Sequence, residues 1–130
     1  MKDQLRKDIP ENINSILGEG PGAVFWRSVP LKTGEKPYWF AASRIYKKND
    51  QIYEAVVVLN NPEGFPGRLS DIEKALVSGR LKNADQVLDS VRDSVAEKDD
   101  SRGSAAVKKY MAGWLCADVV GRCLNAAGRE

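Results

Sequence analysis

The stretch KPYWFAASRIYKKNDQIYEAVVVLN, residues 36–60, decides the fold. Two runs rich in aromatic and β-branched residues, Tyr38 to Lys47 and Ile52 to Asn60, flank a polar break at Lys48, Asn49, Asp50 and Gln51. Such runs read as strands, and Asn-Asp between them is good turn chemistry, so the stretch is a β-hairpin. Pairing Lys47 with Ile52 places Tyr38, Phe40, Ala42, Arg44 and Tyr46 beside Tyr53, Ala55, Val57 and Leu59, which makes that face the core candidate. The other face then carries Trp39, Ala41, Ser43, Ile45 and Lys47 beside Ile52, Glu54, Val56 and Val58. A three-residue turn would slide one strand by a residue and exchange its faces. Either way both faces are too apolar for a sheet with one side in water, so each is expected to be covered, first by helices of the same domain, otherwise by a protein partner, a second copy or a nucleic acid.

Outward from the hairpin, Ala23 to Leu31 supplies a further aromatic and β-branched run, completing a three-stranded antiparallel meander. Before it, Ile9, Ile13, Ile16 and Leu17 recur at helical spacing and predict a helix from about Pro10 to Leu17, with a short helical turn over residues 3–8. Gly18, Gly20, Pro21 and Gly22 end that helix in a loop. The loop lacks the Gly-Lys-Ser/Thr of a phosphate-binding P-loop and leads into a strand instead of a helix, which argues against a phosphate cradle.

After the hairpin, two prolines and two glycines between Asn60 and Gly67 predict the end of the sheet. Ser70 with Glu73 reads as a capping box opening a helix over 71–78, and Gly79 fits the position past its last turn. Asn83 with Gln86 starts another helix, whose Val87, Val91 and Val95 stripe runs to about Glu97. A last helix from about Ser104 to Ala127 is apolar on most of its circumference and is expected to be buried. The fold class is therefore α+β: an N-terminal helix, a three-stranded antiparallel β-meander and a helical C-terminal half of about three helices, forming one domain over 1–130.

On the last helix Gly113, Ala117 and Gly121 repeat every four residues, a groove that lets another backbone approach. Packing within the domain and a homodimer contact are the two readings of that groove. Asp118 and Arg122, one turn apart, read as a local ion pair. Cys116 and Cys123 lie seven residues apart, about 10.5 Å along a helix and too far for a disulfide.

Composition narrows the function. With 20 basic and 18 acidic residues the chain is close to charge balance, and the basic excess sits in its first 50 residues. The longest apolar run, Ala55 to Leu59, is far short of the roughly 20 residues that span a membrane. The first residues lack the apolar block of a signal peptide, so a cytoplasmic protein is expected.

The chain has no histidine, which removes the usual general base, the usual triad member and the commonest metal ligand. No catalytic, cofactor or metal set emerges; Arg27, Arg44, Tyr46 and Tyr53 would be the only cluster for histidine-free chemistry. The expectation is a non-enzymatic binding protein acting stoichiometrically as an inhibitor, immunity, adaptor or accessory factor. Its partner would meet Trp39, Ile45, Lys47, Lys48, Ile52 and Val56 on the second sheet face, since aromatic anchors carry binding energy. The alternative is a nucleic-acid accessory protein using the basic N-terminal half and the sheet aromatics. In order of elements alone, helix, meander and helix, the chain resembles double-stranded RNA-binding domains. Lys47 and Lys48 fall in a turn, however, and Lys108 and Lys109 come two helices later than that family's basic contacts.

Overall fold

The computed structural model describes residues 9–29, 39–60, 67–94 and 105–127. Helix α1 (Glu11–Leu17) precedes strands β1 (Ala23–Val29), β2 (Trp39–Lys48), β3 (Gln51–Asn60) and β4 (Gly67–Arg68), and helices α2 (Ser70–Ser78), α3 (Ala84–Ser94) and α4 (Ala105–Ala127) follow. The strands form one antiparallel sheet in the order β1-β2-β3-β4. The α+β class stands, with one strand more than expected. The segment from Asn60 to Gly67 does not end the sheet, because Gly67 and Arg68 return to pair with Leu59 and Val58. The expected helical turn over 3–8 and the end of α3 past Ser94 lie outside the described residues.

The hairpin turn is the two residues Asn49 and Asp50, both in the left-handed region at φ 54° and 65°. Two consecutive left-handed residues match the right-handed twist of the flanking strands. Lys48 pairs with Gln51 and Lys47 with Ile52, as the turn chemistry requires, but beyond them Tyr46 faces Glu54 and Ile45 faces Ala55. Tyr53 is therefore an extra residue, a β-bulge, and from that point every cross-strand neighbour is shifted by one.

The bulge corrects the expected faces. The two alternating sets of β2 are right, but from Glu54 onward those of β3 combine with them the other way, and Ile52, before the bulge, shares the face of Ala55, Val57 and Leu59. Trp39, Ala41 and Ile45 join Ala55, Val57 and Leu59 in the larger core, with Ala23 and Phe25 of β1. Phe40, Ala42, Val56 and Val58 form the second core, with Val24 of β1 and Ile9, Ile13 and Leu17 of the N-terminal segment. Tyr53, expected in the core, is 54% exposed, and Tyr46 is only half-buried.

Both sheet faces are thus covered from within the chain. Helix α1 lies on one; α2 packs on β3, and α4 packs on β1, β2 and α3 from the other side. Such layering is how a sheet apolar on both faces removes that surface from water. Helix α4 buries Ala112, Leu115, Cys116, Val119, Val120 and Cys123, yet Val107 and Tyr110 on its outer flank are exposed. The helix, apolar on most of its circumference, is thus buried on its inner side and leaves part of its apolar outer flank in solvent.

The glycine-rich loop after α1 wraps a guanidinium. Arg44, buried in β2, donates from Nε to the Leu17 carbonyl at 3.1 Å, from Nη1 to the Pro21 carbonyl at 3.1 Å and from Nη2 to Glu54 Oε1 at 2.8 Å. A Cβ on Gly20 would lie 2.5 Å from Nη1, so any side chain there would have to displace the guanidinium from its place under the loop.

Candidate functional site

The residues expected to meet a partner are mostly interior. Trp39, Ile45, Ile52 and Val56 are all buried, Trp39 to 6% exposure, and they do not form one face. Trp39, Ile45 and Ile52 belong to the larger core and Val56 to the smaller one. Lys47 and Lys48 stand at the tip of the hairpin, where Lys47 Nζ lies 3.9 Å from Asp50 Oδ1. The apolar excess that suggested a docking face is met by the domain's own helices.

The small-residue groove on α4 is also filled from inside. A Cβ on Gly113 would come within 2.6 Å of the Leu88 carbonyl oxygen, and one on Gly121 within 3.2 Å of the Ala84 Cβ. Both neighbours belong to α3, and Ala117 is buried on the same helix. Tight α3–α4 packing therefore accounts for Gly113 and Gly121.

Among the described residues a groove of about 590 Å³ opens between β3 and α2, walled by Tyr53, Ala55, Arg68, Lys74 and Val77. The bulge turns Tyr53 out into this groove, and Val77 faces solvent there from α2. Its carboxylate is Glu73, buried and fully engaged. Oε2 accepts the Val57 backbone N–H at 2.9 Å and Arg68 Nε at 3.0 Å, and Oε1 accepts Arg68 Nη2 at 2.9 Å. Glu73 thus takes no part in the expected capping box; the residue before the helix is Leu69, with no side-chain cap. The Arg68 guanidinium is held above its ordinary value chiefly by the hydrogen bond to Glu73.

Glu54, the other carboxylate at the groove, is held below the usual carboxylate range, first by its hydrogen bond from Arg44. Glu54 keeps a 45% exposed side chain and accepts one bond there, from Arg44, whereas both oxygens of Glu73 are taken by donors, which makes Glu73 a poor general base. The groove is an open surface whose polar floor is the Glu73–Arg68 pair.

Neither cysteine lines it. Cys116 and Cys123 form no disulfide and are buried, and burial pushes the Cys116 thiol up to about 12. The Cys123 thiol donates toward the Ala23 and Ser43 carbonyls at 3.4 and 3.3 Å. Among the described residues no three potential ligands gather to hold a metal ion, and no helix is long and apolar enough to cross a membrane. The four candidates for histidine-free chemistry are divided between the faces of the sheet. Arg27 turns to α4, Arg44 turns to α1, and the rings of Tyr46 and Tyr53 lie beside each other with centroids 6.2 Å apart.

The Asp118–Arg122 pair forms as its spacing predicts, at 3.3 Å. Sequence spacing missed its third member, Arg27 of β1, which reaches the same Asp118 oxygen at 3.4 Å. Glu73 was missed as a buried charge for a related reason: its partners Arg68 and Val57 are brought to it by the sheet.

No protein-family profile and no curated protein matches the sequence. Solved structures do share the fold. A chain of the crystal structure of quinoline 2-oxidoreductase from Pseudomonas putida 86 superposes on 80% of this chain with a TM-score of 0.65 at 14% identity. A chain of carbon monoxide dehydrogenase from Hydrogenophaga pseudoflava, in a form lacking the Mo-pyranopterin moiety of the molybdenum cofactor, superposes on 83% with a TM-score of 0.58 at 26% identity. The match spans 37% of the length of each of those chains. This chain is thus similar to a small α+β portion of larger oxidoreductase chains.

Proposed function

We propose that this chain is a non-catalytic module of a redox protein, which works by stoichiometric docking on the subunit or domain that carries the redox chemistry. The observation behind this reading is the fold shared with 37% of the length of two oxidoreductase chains, one of them 26% identical over 83% of this chain. Among stoichiometric binders, that likeness favours an accessory factor over an inhibitor or immunity protein. The engagement of both Glu73 oxygens and the burial of both thiols support it, since neither group is open to a substrate.

Affinity purification of the tagged chain from its source cell, followed by native mass measurement, tests the reading. The expected product is a stoichiometric complex with an oxidoreductase subunit, together with no dye-reducing turnover by the isolated chain. A chain that stays alone at cellular concentration, or an isolated chain that turns over substrate, would overturn it.

A further inference from the structure

We propose that Arg27 and Arg122, set beside Trp114 on the outer flank of β1 and α4, form a receptor for a carboxylate-bearing segment of a protein partner. The inference rests on the protein-docking reading above and names the surface and the chemistry.

Arg27 Nη1 and Arg122 Nε approach one and the same oxygen, Asp118 Oδ2, at 3.4 and 3.3 Å. Two guanidinium groups therefore share one carboxylate, and the cluster carries a net positive charge. The contacts are ionic in distance only: Oδ2 is buried and receives no aligned hydrogen bond. Neither arginine makes an aligned hydrogen bond to this oxygen, and their side chains are 39% and 42% exposed. Among the described residues neither meets a second carboxylate within 4.0 Å. A guanidinium presents five donors in a planar fork that matches a carboxylate bidentately, so an incoming Asp or Glu would take the donors that Asp118 leaves unaligned.

Position is fixed in advance. The Arg27 guanidinium lies 4.4 Å from the centroid of the Trp114 ring, a cation–π contact that restrains a side chain otherwise costly to immobilise. Along the same flank of α4, Tyr110 stands one turn before Trp114 and Val107 three residues earlier, both exposed. Arginine, tryptophan and tyrosine beside an open apolar patch are the residues that dominate protein interfaces. A nucleic acid would need a longer track of cations, and the chain's net charge is only +2.

The test follows the side-chain Nε–H signals of Arg27 and Arg122 and the Trp114 indole N–H by NMR in the full chain. The probes are a peptide of alternating Glu and Leu and its Gln-for-Glu counterpart. The glutamate peptide should move all three signals and the glutamine peptide should not. Arg122→Glu, at an exposed position whose ionic partner is Asp118, should weaken binding by about tenfold or more, and Asp118→Asn should strengthen it. Equal response to both peptides, no response, or a stronger response to a single-stranded oligonucleotide would overturn the assignment. A redox-subunit complex that forms undiminished with Arg122→Glu would sink this inference and leave the docking reading standing. Absence of any such complex, with the peptide response intact, would sink only the docking reading.

Discussion

The carboxylate of Glu73 on α2 accepts the backbone N–H of Val57 on β3 at 2.9 Å, so a helix side chain completes the sheet edge that the two-residue β4 leaves short. The Leu69 N–H donates to the Val57 carbonyl at 2.9 Å, and together the two bonds satisfy the outward-facing groups of Val57. Burying a carboxylate is costly unless its lone pairs are filled, and Val57 and Arg68 fill them. Glu73→Ala leaves the Val57 N–H without its acceptor and Arg68 without its partner, and should cost about 2–4 kcal/mol in denaturant unfolding. Glu73→Gln keeps an acceptor for Val57 and should cost roughly half as much. Equal stability of all three proteins would refute this account of the edge.

Arg44 ties the end of α1 to the middle of the sheet across 27 residues of sequence. Its replacement by Met removes the donors to Leu17, Pro21 and Glu54 together, and a loss of about 3–5 kcal/mol is expected, most of it from groups left buried without partners. The pair also predicts a pH dependence. Because the hydrogen bond from Arg44 lowers the Glu54 pKa, its stabilisation is fully present above the ordinary value of 4.5 and is lost as pH falls below it toward the folded-state value. Glu54→Gln should flatten the stability curve in that acid range and leave it unchanged near neutrality in shape. A variant that follows the wild-type curve through the acid range would remove Glu54 from the account.

How far the fold was legible follows from how local each signal is. The Asn49–Asp50 turn, the left-handed Gly79 after α2 and the Asn83 cap, whose Oδ1 accepts the Gln86 N–H at 2.9 Å, all depend on residues within a few positions, and sequence finds them. The bulge at Tyr53 was not legible. Alternation in β2 is undisturbed by it, whereas in β3 it sets Ile52 on the face of Ala55, Val57 and Leu59; which residue lies across is decided by packing against two layers. Strand β4 escaped for a similar reason, since two residues carry no periodicity and pair only because β3 is beside them. At the candidate surfaces, Asp118 and Arg122 were readable from one turn of helix, whereas Arg27 joins them through a contact spanning most of the chain.

The α3–α4 contact makes a ranked prediction about glycines. A methyl group at Gly113 would meet the Leu88 carbonyl oxygen at 2.6 Å, and backbone cannot rotate away as a side chain can, so α3 must shift. At Gly121 the neighbour is a methyl group 3.2 Å away that yields by a few tenths of an ångström. Gly113→Ala should destabilise by about 1–3 kcal/mol and Gly121→Ala by less than about 1 kcal/mol, where the gain in helix propensity offsets the crowding. Thermal melts of the two variants give the order directly. The reverse order, or a loss at Gly113 seen only on dilution, would mean that the groove packs against a second copy instead.

Two cysteines report the integrity of the central helix. Cys116 is fully buried, with its thiol pushed up to about 12, and Cys123 is buried against the Ala23 and Ser43 carbonyls. The thiolate is the reactive form, so neither residue should react with a thiol reagent in the native protein at pH 8, and labelling should proceed only through unfolding. Raising the pH adds a second signature. The unfolded chain ionises Cys116 near its ordinary value of 9.0 while the folded chain holds the proton, so stability falls as pH climbs from 9.0 toward about 12. Cys116→Ser retains a small buried side chain without this titration, and its stability should depend less on pH across that alkaline range. Rapid native labelling at pH 8 would show instead that α4 leaves the sheet on its own, without global unfolding.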